Sequence, residues 1–252
     1  MSSSKKQPKY LVANWKSNPI SVKEIEKLQK GYSSFKIGKN TKLIVCPSPL
    51  HQLLDFSKGI LVGAQGVSVA HTGTGLWSVD MLMGLSVSHC IVGHSEQRSV
   101  GETDIDVHNK VVGLVEKGII PIICIGESMR DDNGKYINIL RHQLKVVFSG
   151  MNVGQAGRVL IAYEPVWAIG ARAMRPCLPG ECYEAVHIIR EEVSRIVPGV
   201  LPEHVVVLYG GSVDSSNADS YISEGAADGF IIGRASLDIP QMKDIVKILD
   251  AY

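Results

Sequence analysis

Short runs of β-branched and aliphatic residues punctuate the chain: Tyr10–Ala13, Leu43–Cys46, Ile60–Ala64, His89–Val92, Ile120–Ile125, Val159–Tyr163, Val205–Tyr209 and Phe230–Ile232. Apolar runs this short, with little polar alternation, read as strands covered on both faces, the habit of parallel sheets. Amphipathic stretches separate most of them. Ser21–Gly31 sets Ile25 and Leu28 against charged residues. Thr103–Lys117 carries Ile105, Val111, Val112 and Val115 and is closed by Gly118, a helix-stop residue. Met81-Leu82-Met83 with Leu85 reads as helix core. Strand and helix in repeated alternation imply an α/β fold, either a doubly wound sheet or a closed (β/α)8 barrel of eight parallel strands with outer helices. No GxGxxG opens a helix after the first strand, and no P-loop occurs. A closed barrel also explains better why the strand-like runs end in polar residues.

The length of 252 residues, 45% of them hydrophobic, suits one barrel domain over 1–252. Residues 1–8 read as a short tail. With 26 basic and 25 acidic residues the net charge is +1, which argues against nucleic acid or an anionic membrane as main partner. No apolar stretch approaches the roughly 20 residues of a membrane span, and the polar start Met1–Lys9 has no apolar segment behind it to make a signal peptide. Cys46, Cys90, Cys124, Cys177 and Cys182 are odd in number and form no CxxC pair. They read as reduced thiols in a cytoplasmic protein, with Cys177 and Cys182 free rather than clasped. His51, His71, His89, His108, His142, His187 and His204 show no HExxH or other metal spacing, so no metal site is expected.

In such barrels the chemistry sits at the C-terminal strand ends. Those ends offer Asn14 and Lys16, Gln65, His94-Ser95-Glu96, Glu127, Glu164, Gly210-Gly211-Ser212 and Gly233 in turn. A carboxylate, an imidazole and a fixed ammonium suit proton abstraction beside a carbonyl, because the enediolate formed needs donors at its oxygens. Glycine turns with exposed N–H groups suit a phosphate dianion. Glu127 reads as a structural carboxylate pairing with an arginine such as Arg98.

Five motifs, in order along the chain, resemble those of the triosephosphate isomerase family. They are Asn14-Trp15-Lys16, Gly93-His94-Ser95-Glu96, Cys124-Ile125-Gly126-Glu127, Ala162-Tyr163-Glu164-Pro165-Val166-Trp167-Ala168-Ile169-Gly170 and Tyr209-Gly210-Gly211-Ser212-Val213. The resemblance implies interconversion of glyceraldehyde 3-phosphate and dihydroxyacetone phosphate, a step of glycolysis and gluconeogenesis, without metal or organic cofactor. Glu164 would be the base and His94 a neutral electrophile, its charge disfavoured by the helix start that follows. Lys16 would hold substrate charge and Asn14 would hydrogen-bond a substrate oxygen. Gly170, Ser212 and Gly233, with Arg234 beside it, would receive the phosphate. Glu96 would be a supporting or proton-relay partner, and Ser95, Cys124, Tyr209 and Gly211 would stand behind the reacting groups. A lid over Pro165–Pro179 would close on the substrate. Thr74 matches the residue that reaches into the partner of a homodimer.

Three stretches depart from the family pattern. The lid continues Gly170-Ala171-Arg172-Ala173-Met174-Arg175-Pro176-Cys177 where the family usually has G-T-G-K-T-A, and it is about three residues longer before Glu181. Arg234 follows Gly233 where a second glycine is usual, a strained choice if the position requires φ > 0. Leu76 and Gln97 replace both members of an acidic–arginine pair between subunits, which fits a dimer held by apolar contact. Two rivals keep parts of the picture: a four-carbon ketose-phosphate isomerase on the same scaffold, and a silent phosphate-binding barrel.

Overall fold

Eight parallel strands pair in sequence order and close on themselves in the structure, a computed structural model that describes residues 7–56, 59–70, 73–131, 133–170 and 173–252. They are β1 (Lys9–Asn14), β2 (Thr41–Cys46), β3 (Ile60–Ala64), β4 (His89–Val92), β5 (Ile120–Ile125), β6 (Leu160–Tyr163), β7 (Val206–Tyr209) and β8 (Gly229–Ile232). Pairing of Val12 with Ile231 between β1 and β8 completes the ring. The expected tail lies largely outside the described residues, as do His71 and, from the expected lid, Ala171 and Arg172.

Side chains alternate along each strand, and the barrel uses both faces. Val12, Ile44, Ile91, Ile122, Cys124, Leu160, Ala162, Leu208 and Ile231 fill the interior. Leu11, Ala13, Leu43, Ile123, Ile161 and Val207 point outward into the layer between strands and helices. That layer is covered by α1 (Val22–Ser33), α2 (Val79–Gly84), α3 (Ser95–Ser99), α4 (Asp104–Glu116), α5 (Lys135–Val147), α6 (Val153–Ala156), α7 (Pro179–Ile196), α8 (Ala218–Ser223) and α9 (Ile239–Asp250). Among the described residues no helix is long and apolar enough to cross a membrane.

The helix boundaries follow local chemistry. Ser21 caps α1 by accepting the Glu24 N–H. Thr103 caps α4 in a reciprocal box with Asp106, and Gly118 beyond its end sits at φ 80°. Two expectations about helix faces need correction. Ile105 is 64% exposed, because α4 buries the stripe Val107, Val111, Leu114 and Val115 at helical i, i+4, i+7, i+8 spacing. In α2 only Leu82 is core, while Met81 and Met83 are about half exposed. All five cysteines are buried and free, Cys177 and Cys182 included.

Candidate active site

The loop after β1 sets the first cation. Lys16 takes φ 52°, a region that side-chain-bearing residues enter at a cost. Both its backbone polar groups are held there: the N–H donates to Asn14 Oδ1 at 3.1 Å, and the carbonyl accepts from Gln65 Nε2 at 2.8 Å. Gln65 also donates to the Cys46 carbonyl at 3.0 Å, tying together the ends of β1, β2 and β3. The Lys16 ammonium points to Glu96, with Nζ 2.6 Å from Oε1. A methyl group at Gly233 would lie 3.3 Å from Lys16 Cε, so glycine there leaves the lysine its room.

At the end of β4, Gly93 turns at φ 72°, and His94 becomes the N-cap of α3. Its Nδ1 accepts the Glu96 N–H at 3.2 Å. A ring nitrogen that accepts an N–H bond carries no proton, so the imidazole proton sits on Nε2. That nitrogen is 3.3 Å from Glu164 Oε1. Arg98 braces the turn from behind, donating to the carbonyls of Gly93 (2.7 Å) and Cys124 (3.3 Å) and to Asp104 (2.6 Å).

Glu164, at the end of β6, is almost wholly buried. Its Oε2 accepts the Ser95 N–H at 3.0 Å. Two glycines make its place. A methyl at Gly126 would lie 1.7 Å from the Glu164 carbonyl oxygen, and one at Gly210 would lie 2.9 Å from its Cγ. The Cys124 thiol faces Glu164 from inside the barrel, and burial, aided by that carboxylate, pushes it well above the ordinary thiol range. It stays a thiol at neutral pH.

The expected pairing of Glu127 with Arg98 is not what the structure shows. Glu127 is fully buried, and its Oε1 accepts from Tyr163 Oη at 2.9 Å and Trp167 Nε1 at 2.8 Å. Burial, partly offset by those two hydrogen bonds, raises the Glu127 carboxyl. Arg98 instead binds Asp104 and the Gly93 and Cys124 carbonyls. The arginine near Glu127 is Arg130, which donates to Tyr136 Oη at 3.1 Å, pairs closely with Glu184 and stacks 4.3 Å from the Tyr136 ring.

The segment after Glu164 forms a short 3-10 helix, Val166–Ala168. Ser212 Oγ donates to the Ala168 carbonyl at 3.2 Å, which brings the loop after β7 against it. Gly170 follows at φ 72° and is exposed. Tyr209 stacks on Tyr221, with centroids 4.1 Å apart, and Tyr221 Oη donates to the Cys177 carbonyl at 2.6 Å. Gly211 leaves space for the Tyr209 hydroxyl, 2.1 Å from where a methyl would stand. Arg234 begins a short 3-10 helix, Arg234–Leu237, and is not among the described residues with positive φ. An arginine is therefore unstrained at that position. Thr74 is exposed in the loop between β3 and α2 and takes no part in this cluster.

Asn14, Lys16, His94, Ser95, Glu96, Cys124 and Glu164 thus converge on one rim, with Gly170, Ser212, Gly233 and Arg234 on the strand-end loops beside them. Gln65 was readable only as a polar strand end, and the spacing roles of Gly126 and Gly210 were hidden within motifs. Arg130 carried no motif at all. Among the described residues no group of three or more His, Cys, Asp or Glu could hold a metal ion.

Fold and rim together define a (β/α)8 barrel of the acid–base type, with a carboxylate facing an imidazole next to an ammonium. The family model described as Triosephosphate isomerase matches residues 9–249. A triosephosphate isomerase of Francisella philomiragia is 34% identical over 246 residues, covering 94% of this chain and 96% of that one. One from Mycoplasma capricolum is 34% identical over 234 residues, with 91% and 94% covered. One from Aquifex aeolicus is 33% identical over 246 residues, with 94% and 97% covered. The chain belongs to the triosephosphate isomerase family.

Proposed function

We propose that this chain interconverts glyceraldehyde 3-phosphate and dihydroxyacetone phosphate by proton transfer through an enediolate. The observation that carries the reading is the Glu164 carboxylate 3.3 Å from the protonated ring nitrogen of His94, on the rim that holds Lys16. Glu164 takes the proton from the carbon beside the carbonyl and returns it to the neighbouring carbon. His94 Nε2–H donates to the oxygen where charge develops, and Lys16 offsets that charge once substrate displaces Glu96. Asn14 has its Oδ1 committed to the Lys16 N–H, which leaves its amide nitrogen for a substrate oxygen. The backbone N–H groups of Gly170, Ser212 and Gly233 receive the phosphate, and Arg234 adds positive charge next to them. Glu96, Ser95, Cys124, Tyr209 and Gly211 position these groups. The segment 165–179 closes over the site and keeps water from the enediolate.

The same reading makes the protein a cytoplasmic homodimer. Leu50 (87% exposed) and Leu53 (82%) follow β2, and Leu76, Met81 and Met83 follow β3 in the stretch that also carries Thr74, all of them exposed apolar side chains. That supports an interface of apolar contact in place of an ion pair.

A coupled assay with glyceraldehyde 3-phosphate, run beside a four-carbon ketose phosphate, tests the reading. Fast turnover of the three-carbon substrate supports it. Activity confined to the four-carbon substrate overturns the substrate assignment, and a folded protein inactive on both overturns the chemistry.

A further inference from the structure

Closure of the barrel sets the ends of β1 and β8 side by side, and one hydroxyl, Ser236, is wholly buried at that seam. Its Oγ donates to the Gly233 carbonyl at 2.5 Å and lies 3.4 Å from the Asn14 carbonyl. A serine has one proton to give, so the short contact to Gly233 is the bond it makes. The Ser236 backbone N–H adds a second donor to the same Gly233 carbonyl at 3.0 Å. The Ser236 carbonyl in turn accepts from Tyr32 Oη at 2.5 Å.

Ser236 is thus fixed from another element. Tyr32 belongs to α1 and is fully buried; its ring stacks 5.0 Å from Phe35 and lies 5.6 Å from Trp15, the residue between Asn14 and Lys16. On its other side Ser236 controls one peptide unit. The Gly233 carbonyl belongs to the peptide that joins Gly233 to Arg234, which is trans. The C=O and N–H of a planar trans peptide point in opposite directions. With the carbonyl drawn to Ser236 on the packed side, the Arg234 N–H faces away from that seat. Gly233 itself lies against Lys16, with a methyl there only 3.3 Å from Cε.

We propose that Ser236 is a positioning residue for the phosphate of the substrate: its hydroxyl fixes the Gly233–Arg234 peptide so that the backbone N–H groups of the β8 loop face the anion. This rests on the isomerase reading with phosphate at that loop. Ser236 touches no substrate and acts through Gly233. Removing the hydroxyl still leaves the Gly233 carbonyl the Ser236 N–H as a partner, so no buried acceptor is stranded and the fold stands. One of two anchors is lost. Binding then has to order a peptide that the hydroxyl no longer holds. A cost comparable with one ordinary hydrogen bond corresponds to about three- to tenfold in affinity.

The test uses the full chain, with inorganic phosphate as competitive inhibitor of glyceraldehyde 3-phosphate isomerisation and phosphate-free glyceraldehyde as a second substrate. Ser236→Ala removes the hydroxyl; Tyr32→Phe removes the bond to the Ser236 carbonyl, keeps the ring, and stands in for it if Ser236→Ala does not fold. In folded Ser236→Ala the KM for glyceraldehyde 3-phosphate and the phosphate inhibition constant are expected to rise together by about three- to tenfold, with kcat changing less. Tyr32→Phe is expected to move them the same way by less. For glyceraldehyde, which has no phosphate to place, kcat/KM should fall by less than about twofold. A merely structural role would lower the melting temperature and leave the phosphate constants alone. Phosphate constants equal to wild type in the folded variants overturn the proposal, and so do equal losses on both substrates. A wild type that fails to isomerise glyceraldehyde 3-phosphate brings down the functional reading and this proposal with it; an active wild type beside variants that match it removes the Ser236 role alone.

Discussion

Glu164 and His94 meet across the barrel mouth, Oε1 to Nε2 at 3.3 Å, although they come from the ends of β6 and β4. The contact depends on the proton being at Nε2, and the Glu96 N–H donated to Nδ1 puts it there. His94 thus has two functions, capping α3 and presenting a donor. Asparagine caps helices well, so His94→Asn keeps the first function and moves the second. The expected result is a kcat lower by about 10²- to 10³-fold, the usual cost of losing one donor to developing charge. Near-wild-type thermal stability should accompany it, and steady-state kinetics with a melting curve check both.

Gly210 sets where the base can stand. A methyl there would lie 2.9 Å from Glu164 Cγ and 2.9 Å from Ile231 Cγ2, both packed groups. Gly210→Ala should push the carboxylate away from the reacting carbon without removing it. Misplacements near 1 Å can cost about 10²-fold, so kcat should fall between about tenfold and 10²-fold while the protein stays folded. Activity equal to wild type would show that the barrel end yields more easily than its packing implies.

The strands were legible because parallel strands buried on both faces leave unbroken apolar runs, and all eight begin and end within two residues of the sequence reading. The strand-end positions of Lys16, His94 and Glu164 were legible because each follows a strand directly in a motif. Contacts between neighbouring loops were not. Whether Glu127 meets Arg98 or Trp167 depends on how the β5 and β6 ends lie once the barrel closes, and sequence spacing says nothing of that. Ile105 failed for a local reason: it shares a side of α4 with half-buried Val112, while the stripe through Val107 and Val111 turns inward.

His89 should give the fold a measurable pH dependence. It is buried at the start of β4, its Nδ1 2.8 Å from Ser88 Oγ, and burial lowers its pKa from 6.5 to about 4. The unfolded chain then binds more protons than the folded one between these values. Stability is full above pH 6.5 and falls as pH drops toward 4, by about 3 kcal/mol in all from this residue. Urea unfolding at pH 7 and pH 5 should show the loss, and His89→Gln should reduce it. An equal pH dependence in the variant would place the effect elsewhere.

The central claim is that Glu164 moves the proton, and the kinetics of Glu164→Gln test it most directly. The substitution keeps the size and one acceptor of the side chain, so the lid, Ser95 and His94 need not rearrange. With glyceraldehyde 3-phosphate as substrate, the account predicts a kcat lower by between about 10²- and 10⁴-fold, the range for losing a general base, with KM little changed. A Glu164→Gln protein that isomerises at the wild-type rate would contradict it.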